Sequence, residues 1–365
     1  MTRKFCFIFL FLGLTNSQVF SQNKLKTENV ILVTMDGMRW QEVFGGVDST
    51  LIRTKKYTPD TSALIRQFWA ADPVSRRTKL MPFLWELAQN QGQLYGNRWE
   101  NNYVNCTNSM WFSYPGYNEI LTGSHDDEHI KSNSKTPNPN TTILEFLNKQ
   151  PAWKGKVAAF GSWDVFPFIE NYARSGVYVN AGYELSKDEP LSDREKLINE
   201  LQETLPREWE GVRFDALTYQ LAKEYLKKHR PKMLFLALGE TDDFAHDARY
   251  DHYLKSAKAT DDILRDLWGY LQAQPQYKGK TTLILTTDHG RGDIIKSQWT
   301  GHGDEIKDAG EIWMAVIGPD TPVLGEVKSP GQLYQNQVAQ TIARYLGTTF
   351  VGNRPAGEYL KSAFK

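Results

Sequence analysis

Cysteine is almost absent. Two occur in 365 residues, Cys6 and Cys106. Cys6 falls in an N-terminal stretch that reads as a removable leader, so the mature chain keeps one thiol and forms no internal disulfide. Its stability must come from a large apolar core, and a cysteine-rich zinc framework is excluded. Cys106 itself reads as a packed small side chain rather than a nucleophile. An excess of charge is lacking as well. Lys+Arg and Asp+Glu both number 43, for a formal net charge of zero. Nothing in that balance draws the chain to nucleic acid or to an anionic membrane surface. An anionic substrate would have to be attracted locally, by bound metal cations. Long apolar runs are also scarce. The run Phe5 to Leu14 is too short to span a bilayer stably. With Arg3 and Lys4 before it and the small and polar residues Thr15 to Ser21 after it, it has the order of an export signal. The expectation is a signal peptide over 1–21, a single domain over 22–365 with no transmembrane segment after cleavage, and a periplasmic or secreted location.

What is present is a series of apolar runs, each ending at a turn residue. Val30 to Met35 leads into Asp36-Gly37, Lys156 to Phe160 into Gly161, Met233 to Leu238 into Gly239-Glu240, Thr282 to Thr287 into Asp288-His289-Gly290, and Ile312 to Ile317 into Gly318-Pro319. Near-continuous runs of this length suit strands buried on both faces of a mainly parallel sheet. Between them, Met81 to Gln91, Thr142 to Asn148, Phe214 to His229, His252 to Leu271 and Gln335 to Leu346 carry apolar residues at helical spacing. Alternating strands and helices predict a three-layer α/β/α sandwich with a mainly parallel central sheet. The stretch 164–213 is polar and irregular, and reads equally as a cap or insertion beside a site and as a surface excursion.

Three of the runs end in acidic or histidine residues, and open α/β sheets bind ligands beyond the carboxyl ends of their strands. Asp36 follows the first. Asp242 and His246, four apart, share one face if their segment is helical. Asp288 and His289 are adjacent at a strand end, where a turn lets both reach one point. His302 sits between Gly301 and Gly303, in a loop that allows close approach. Each alone is an ordinary cap or surface residue; together they make a carboxylate and imidazole set suited to divalent metal, zinc best and manganese next. His229 and His252 read as helix-surface residues. Ser113 precedes a Pro115-Gly116 turn and a helix, where unsatisfied N–H groups favour an anion. The lesser reading of Ser113 is an N-cap.

The ordered set of segments MDGMRW, SYPGYNEILTG, ETDDFAH, TTDHG and TGHG resembles the alkaline phosphatase superfamily, and more narrowly its nucleotide pyrophosphatase/phosphodiesterase-like branch. The resemblance runs from about residue 30 to 303. It implies an alkaline phosphatase-like catalytic domain in which Asp36, Asp288 and His289 hold one metal and Asp242, His246 and His302 the other. It further implies that Ser113 is the nucleophile of a phosphoric ester hydrolase working through a phosphoserine, and that the Asn133 amide binds a phosphate oxygen, with Asn138 and Asn140 as rivals. Two metals about 4 Å apart can clamp the attacking and leaving oxygens of an in-line displacement. The implied partner is a small phosphate ester, with a slight lean to monoesters over the diesters and pyrophosphates of the named branch. Arg291, Tyr114 and Tyr117 are candidates for substrate contact. A formylglycine sulfatase is disfavoured, because Tyr117 stands where its arginine would be. A phosphomutase is disfavoured by the export signal.

Overall fold

The computed structural model describes residues 24–365; the predicted signal peptide and Cys6 lie outside them. Among the described residues eleven strands occur in chain order: β1 Asn29–Met35, β2 Gly92–Tyr95, β3 Asn102–Asn105, β4 Val157–Gly161, β5 Tyr178–Ala181, β6 Met233–Leu238, β7 Thr281–Thr286, β8 Glu311–Ile312, β9 Met314–Ile317, β10 Gly325–Glu326 and β11 Gly331–Tyr334. Eight form the main sheet in the order β10-β2-β9-β7-β1-β6-β4-β5. All run the same way except β9, which is antiparallel to both β7 and β2. A small second sheet takes the order β11-β3-β8.

The sheet is buried on both faces, which is why its strands read as continuous apolar runs. In β1, Ile31, Val33 and Met35 join one core with the helices Pro82–Gln91, Asp215–His229 and Tyr250–Ala273. Val30 and Leu32 join the other, with Ser113–Thr122, Ile143–Asn148 and Val338–Tyr345. This is the expected three-layer sandwich. The helices start where local chemistry provides for their free N–H groups: Thr142 Oγ1 accepts from Glu145 N, and Ser192 with Glu195 forms a reciprocal capping box. Among the described residues no helix is long and apolar enough to cross a membrane.

Two readings change. The run Ile312 to Ile317 is not one strand. It breaks at Trp313, whose indole is fully buried and donates to Met38 O at 2.9 Å, so that β8 pairs in the small sheet and β9 in the large one. The stretch 164–213 is also not wholly a cap. Within it β5 pairs with β4 as the edge strand of the main sheet, while the buried Arg213 guanidinium ties Thr218, Asn180 and Gln202 together. Trp163 and Val212, at the two ends of the stretch, meet in an antiparallel bridge beside the site.

Candidate active site

The neighbours β7, β1 and β6 deliver their carboxyl ends side by side. Asp36 follows β1 directly, and its amide donates to Leu238 O at the end of β6 (2.9 Å). Asp242 lies in the first turn of the helix Glu240–His246 that follows β6. Asp288 and His289 follow β7. The three sequence-distant segments therefore converge because their strands are adjacent.

At the centre is His289, fully buried. Its Nδ1 lies 2.9 Å from the Gly290 carbonyl, an acceptor, so Nδ1 carries the proton and Nε2 presents a lone pair. That lone pair faces Asp288 Oδ2 at 3.3 Å, Asp36 Oδ1 at 3.4 Å and Asp242 Oδ1 at 3.8 Å. Asp36 Oδ1 and Asp288 Oδ2 are buried and accept no hydrogen bond. A ring nitrogen and two orphaned carboxylate oxygens converging on one point lack only a cation, so these residues fit a divalent metal. His302 repeats the pattern. Its Nδ1 is 3.0 Å from the Trp111 carbonyl, leaving Nε2 to face His246 Nε2 at 3.0 Å and Asp242 Oδ1 at 3.8 Å. Asp242 Oδ2 lies 3.1 Å from His246 Nε2. The two triads adjoin: His289 stands within reach of Asp242 and His302 as well as of Asp36 and Asp288.

The electrostatics follow from burial. Desolvation, then the Asp242 charge, pushes the Asp36 carboxyl well above the usual carboxylate range. Desolvation, then Asp36, does the same to Asp288. Asp242 goes the other way. Burial would raise it, but Arg291 and then His246 hold it well below that range. Burial, then His289, depresses His302 and keeps its ring neutral, the form a metal binds.

Ser113 is the first residue of the helix Ser113–Thr122. Phe112, not Ser113, occupies the N-cap position and makes no side-chain cap bond. The Ser113 hydroxyl is instead 3.3 Å from His289 Nε2, in a cavity of about 200 Å³ that Asp36, Asn133, Asp242, His246 and His302 also line. Asn133 Oδ1 accepts from Tyr114 N at 3.0 Å, which leaves its amide N–H groups free to donate into that cavity. Its rivals are elsewhere: Asn138 and Asn140 are buried and bonded to Asn118 Oδ1. Cys106 stays a packed thiol, pushed up by burial and then by Glu119. A wider cleft of about 480 Å³, beside Trp153 and Arg344, holds none of these groups.

The three residues expected to touch substrate do not line the cavity. Arg291 is buried under it, with Nε on Trp299 O (2.9 Å), Nη2 on Thr300 O (2.8 Å) and Nη1 on Asp242 Oδ1. Tyr114 turns its hydroxyl to Thr136 O at 2.7 Å. Tyr117 donates to Asp36 Oδ2 at 2.9 Å. Residue type suggested ligand contact, but side-chain direction makes two of them supports for carboxylates. Loss of such a support costs about 10- to 100-fold in metal affinity. Tyr117→Phe should therefore weaken zinc retention by that order, measured by competition with a chromogenic chelator; unchanged retention would remove Tyr117 from the site.

Sequence reasoning passed over two further groups. Arg39, inside the MDGMRW segment, is fully buried. It grips Glu42 bidentately (2.6 and 2.8 Å) and donates to Gly292 O (3.0 Å), anchoring the loop that leads to His302. An arginine beside a ligand, with a glutamate three residues on, was its only signal. Asp243 was masked by its neighbour Asp242. It lines the cavity, and burial, then the Asp242 charge, pushes its carboxyl up to about 8.

The sulfatase family profile matches residues 28–305, and no curated protein matches the chain significantly. The alkaline phosphatase PafA is similar in structure, with a TM-score of 0.58, 12% identity, 94% of this chain and 99% of that one covered. So are the lipoteichoic acid synthase LtaP from Listeria monocytogenes (0.55, 13%, 88% and 72%) and BT1596, a 2-O GAG sulfatase (0.55, 12%, 89% and 72%). At these identities the likeness speaks for the fold. A family profile spanning more than two thirds of the sequence, on a sheet and site of this geometry, places the chain in the sulfatase family of the alkaline phosphatase superfamily.

Proposed function

We propose that the chain is an exported, two-metal hydrolase of phosphoric esters that works through a phosphoserine on Ser113, and that it prefers diesters. The observation that carries the first part is the Ser113 hydroxyl, 3.3 Å from His289 Nε2 beside two buried carboxylate oxygens that accept nothing else. Asp36, Asp288 and His289 would hold one dication, and Asp242, His246 and His302 the other. Bound there, the two ions would supply Lewis-acid stabilisation of the phosphoryl charge and lower the pKa of a coordinated hydroxyl. Ser113 Oγ attacks phosphorus as the bond to the leaving alcohol breaks. Asn133 donates its amide to a non-bridging oxygen. Water then displaces Oγ, so the remaining phosphate monoester leaves and the serine is restored.

The diester preference rests on what lines the cavity. Among the described residues no lysine or arginine does, and the nearby Arg291 is spent on Asp242. A dianionic monoester asks for an added cation, whereas a monoanionic diester is served by the metals. This reverses the lean to monoesters drawn from the sequence, and returns to the nucleotide pyrophosphatase/phosphodiesterase-like branch. The family match favours one rival, a sulfate ester, which is also a monoanion. Tyr117, standing where a formylglycine sulfatase would have its arginine, opposes it. The test is a three-substrate comparison on zinc-loaded protein. Bis-p-nitrophenyl phosphate should exceed p-nitrophenyl phosphate in kcat/KM by about tenfold or more, and p-nitrophenyl sulfate should trail both. A sulfate rate above either phosphate rate would overturn the assignment.

A further inference from the structure

The segment that delivers Ser113 also reaches His302. Trp111, two residues before the serine, turns its carbonyl to His302 Nδ1 at 3.0 Å. Phe112 packs against the His302 ring, with centroids 5.5 Å apart in an edge-to-face arrangement. Ser113 then places its hydroxyl 3.3 Å from His289 Nε2. Three consecutive residues thus address both groups of metal candidates. The turn that allows this is not relaxed. Trp111 has a φ of +47°, in the left-handed region. A bulky side chain is an outlier there and persists only where its surroundings fix it.

Asn108 supplies that constraint. Its side chain is buried, with Oδ1 accepting from Trp111 N at 2.9 Å and Nδ2 donating to Glu119 Oε2 at 2.8 Å. A main-chain N–H only donates and an ionised carboxylate only accepts, so one orientation of the amide satisfies both. Glu119 is fully buried on the helix that begins at Ser113. It also accepts from Asn108 N, Thr107 N and Thr107 Oγ1, each at 2.8–2.9 Å. The loop is thereby strapped to the helix that follows it. Neither Asn108 nor Glu119 lines the cavity or joins a ligand group. We propose that Asn108 is a positioning residue for His302. Held by Glu119, it keeps Trp111 left-handed, so that the Trp111 carbonyl receives Nδ1–H and Nε2 faces Asp242 and His246. A partner of this kind fixes both the tautomer and the orientation of a ligating ring, and its loss weakens the metal without removing a ligand. The inference rests on the two-metal reading and adds a residue that sets the affinity of the ion at Asp242, His246 and His302.

Zinc titration against a chromogenic chelator tests it, read as a double-mutant cycle with His302. Asn108→Ala should weaken one of two zinc-binding steps by about tenfold and leave the other near wild type. In a His302→Ala background the same substitution should change zinc affinity by less than about twofold, because no ring remains for the carbonyl to hold. A loss of equal size in both backgrounds would make Asn108 a general support of the fold and overturn the inference. Unchanged zinc binding in Asn108→Ala would overturn it too, and would leave the two-metal reading standing. If circular dichroism shows Asn108→Ala to be unfolded, the isosteric Glu119→Gln carries the cycle. It should weaken the same step, again only where His302 is kept, and a loss in both backgrounds would count against the inference as before. If the wild type takes up fewer than two zinc ions, or His302→Ala binds zinc as the wild type does, the two-metal reading fails and this one falls with it.

Discussion

Ser113→Ala should lower turnover of bis-p-nitrophenyl phosphate by at least about 10³-fold, with zinc content and melting temperature close to wild type. The separation of the two effects follows from what the hydroxyl does not do. It caps no helix, since Phe112 holds that position, and among the described residues its hydroxyl hydrogen-bonds only to His289 Nε2. Removing it leaves no buried donor stranded, so the fold has little reason to respond. Ser113→Thr keeps the oxygen and should retain activity within roughly tenfold of wild type. Acid quenching during turnover of a labelled diester should trap label on Ser113 in the wild type and none in Ser113→Ala. A Ser113→Ala protein with a tenth of the wild-type rate would end the covalent mechanism.

Stripping metal should destabilise the protein, and more so as pH rises. The carboxyls of Asp36 and Asp288 are both raised in the fold, chiefly by burial. Above about pH 4 the metal-free fold therefore holds protons that the unfolded chain has released. Stability then falls with rising pH, by about 1.4 kcal/mol per unit for each group still protonated, until the folded pKa is passed. A bound dication replaces those protons and removes the slope. The gap in Tm between zinc-loaded and EDTA-treated protein should thus be small near pH 5 and widen toward pH 8. Zinc at 100 times its Kd contributes about 2.7 kcal/mol on its own, a shift of several degrees. Joint replacement of Asp36 and Asp288 by Asn should raise the Tm of the EDTA-treated protein at pH 8 while abolishing the zinc response and the activity. A gap that stays flat across this range would mean that the three acceptors around His289 do not hold metal.

Much of the fold was legible in the sequence because burial on both faces writes a strand as an unbroken apolar run. β1, β6 and β7 announced themselves in this way, and their ends carry Asp36, Asp242, Asp288 and His289. β2, β5 and β10 did not. They are short outer strands such as Gly92–Tyr95, where the buried Gln93 is satisfied by Ser362 O rather than by apolar contact. Trp313 was invisible as a break, since a buried tryptophan inside an apolar run looks like more strand. The same limit shaped the site. Ligand types and strand ends are sequence properties, so the six metal candidates could be named and the structure brings them together. Direction is not. Tyr117 and Arg291 were credible substrate contacts until their polar ends proved to point at Asp36 and Asp242.

The helix carrying Ser113 lies so close to the β7 end that a Cβ at Gly116 would fall 2.3 Å from the Asp288 carbonyl oxygen. Gln335 and Cys106 address that same carbonyl, from 2.7 and 3.4 Å. Hydroxyl and carboxylate are thereby mounted on one chassis, with their spacing set by main chain rather than by rotamers. Selection for bulkier or differently charged esters would find that side of the cavity closed to adjustment. Trp163 and Val212 line the cavity too, and neither is part of the close Gly116–Asp288 contact.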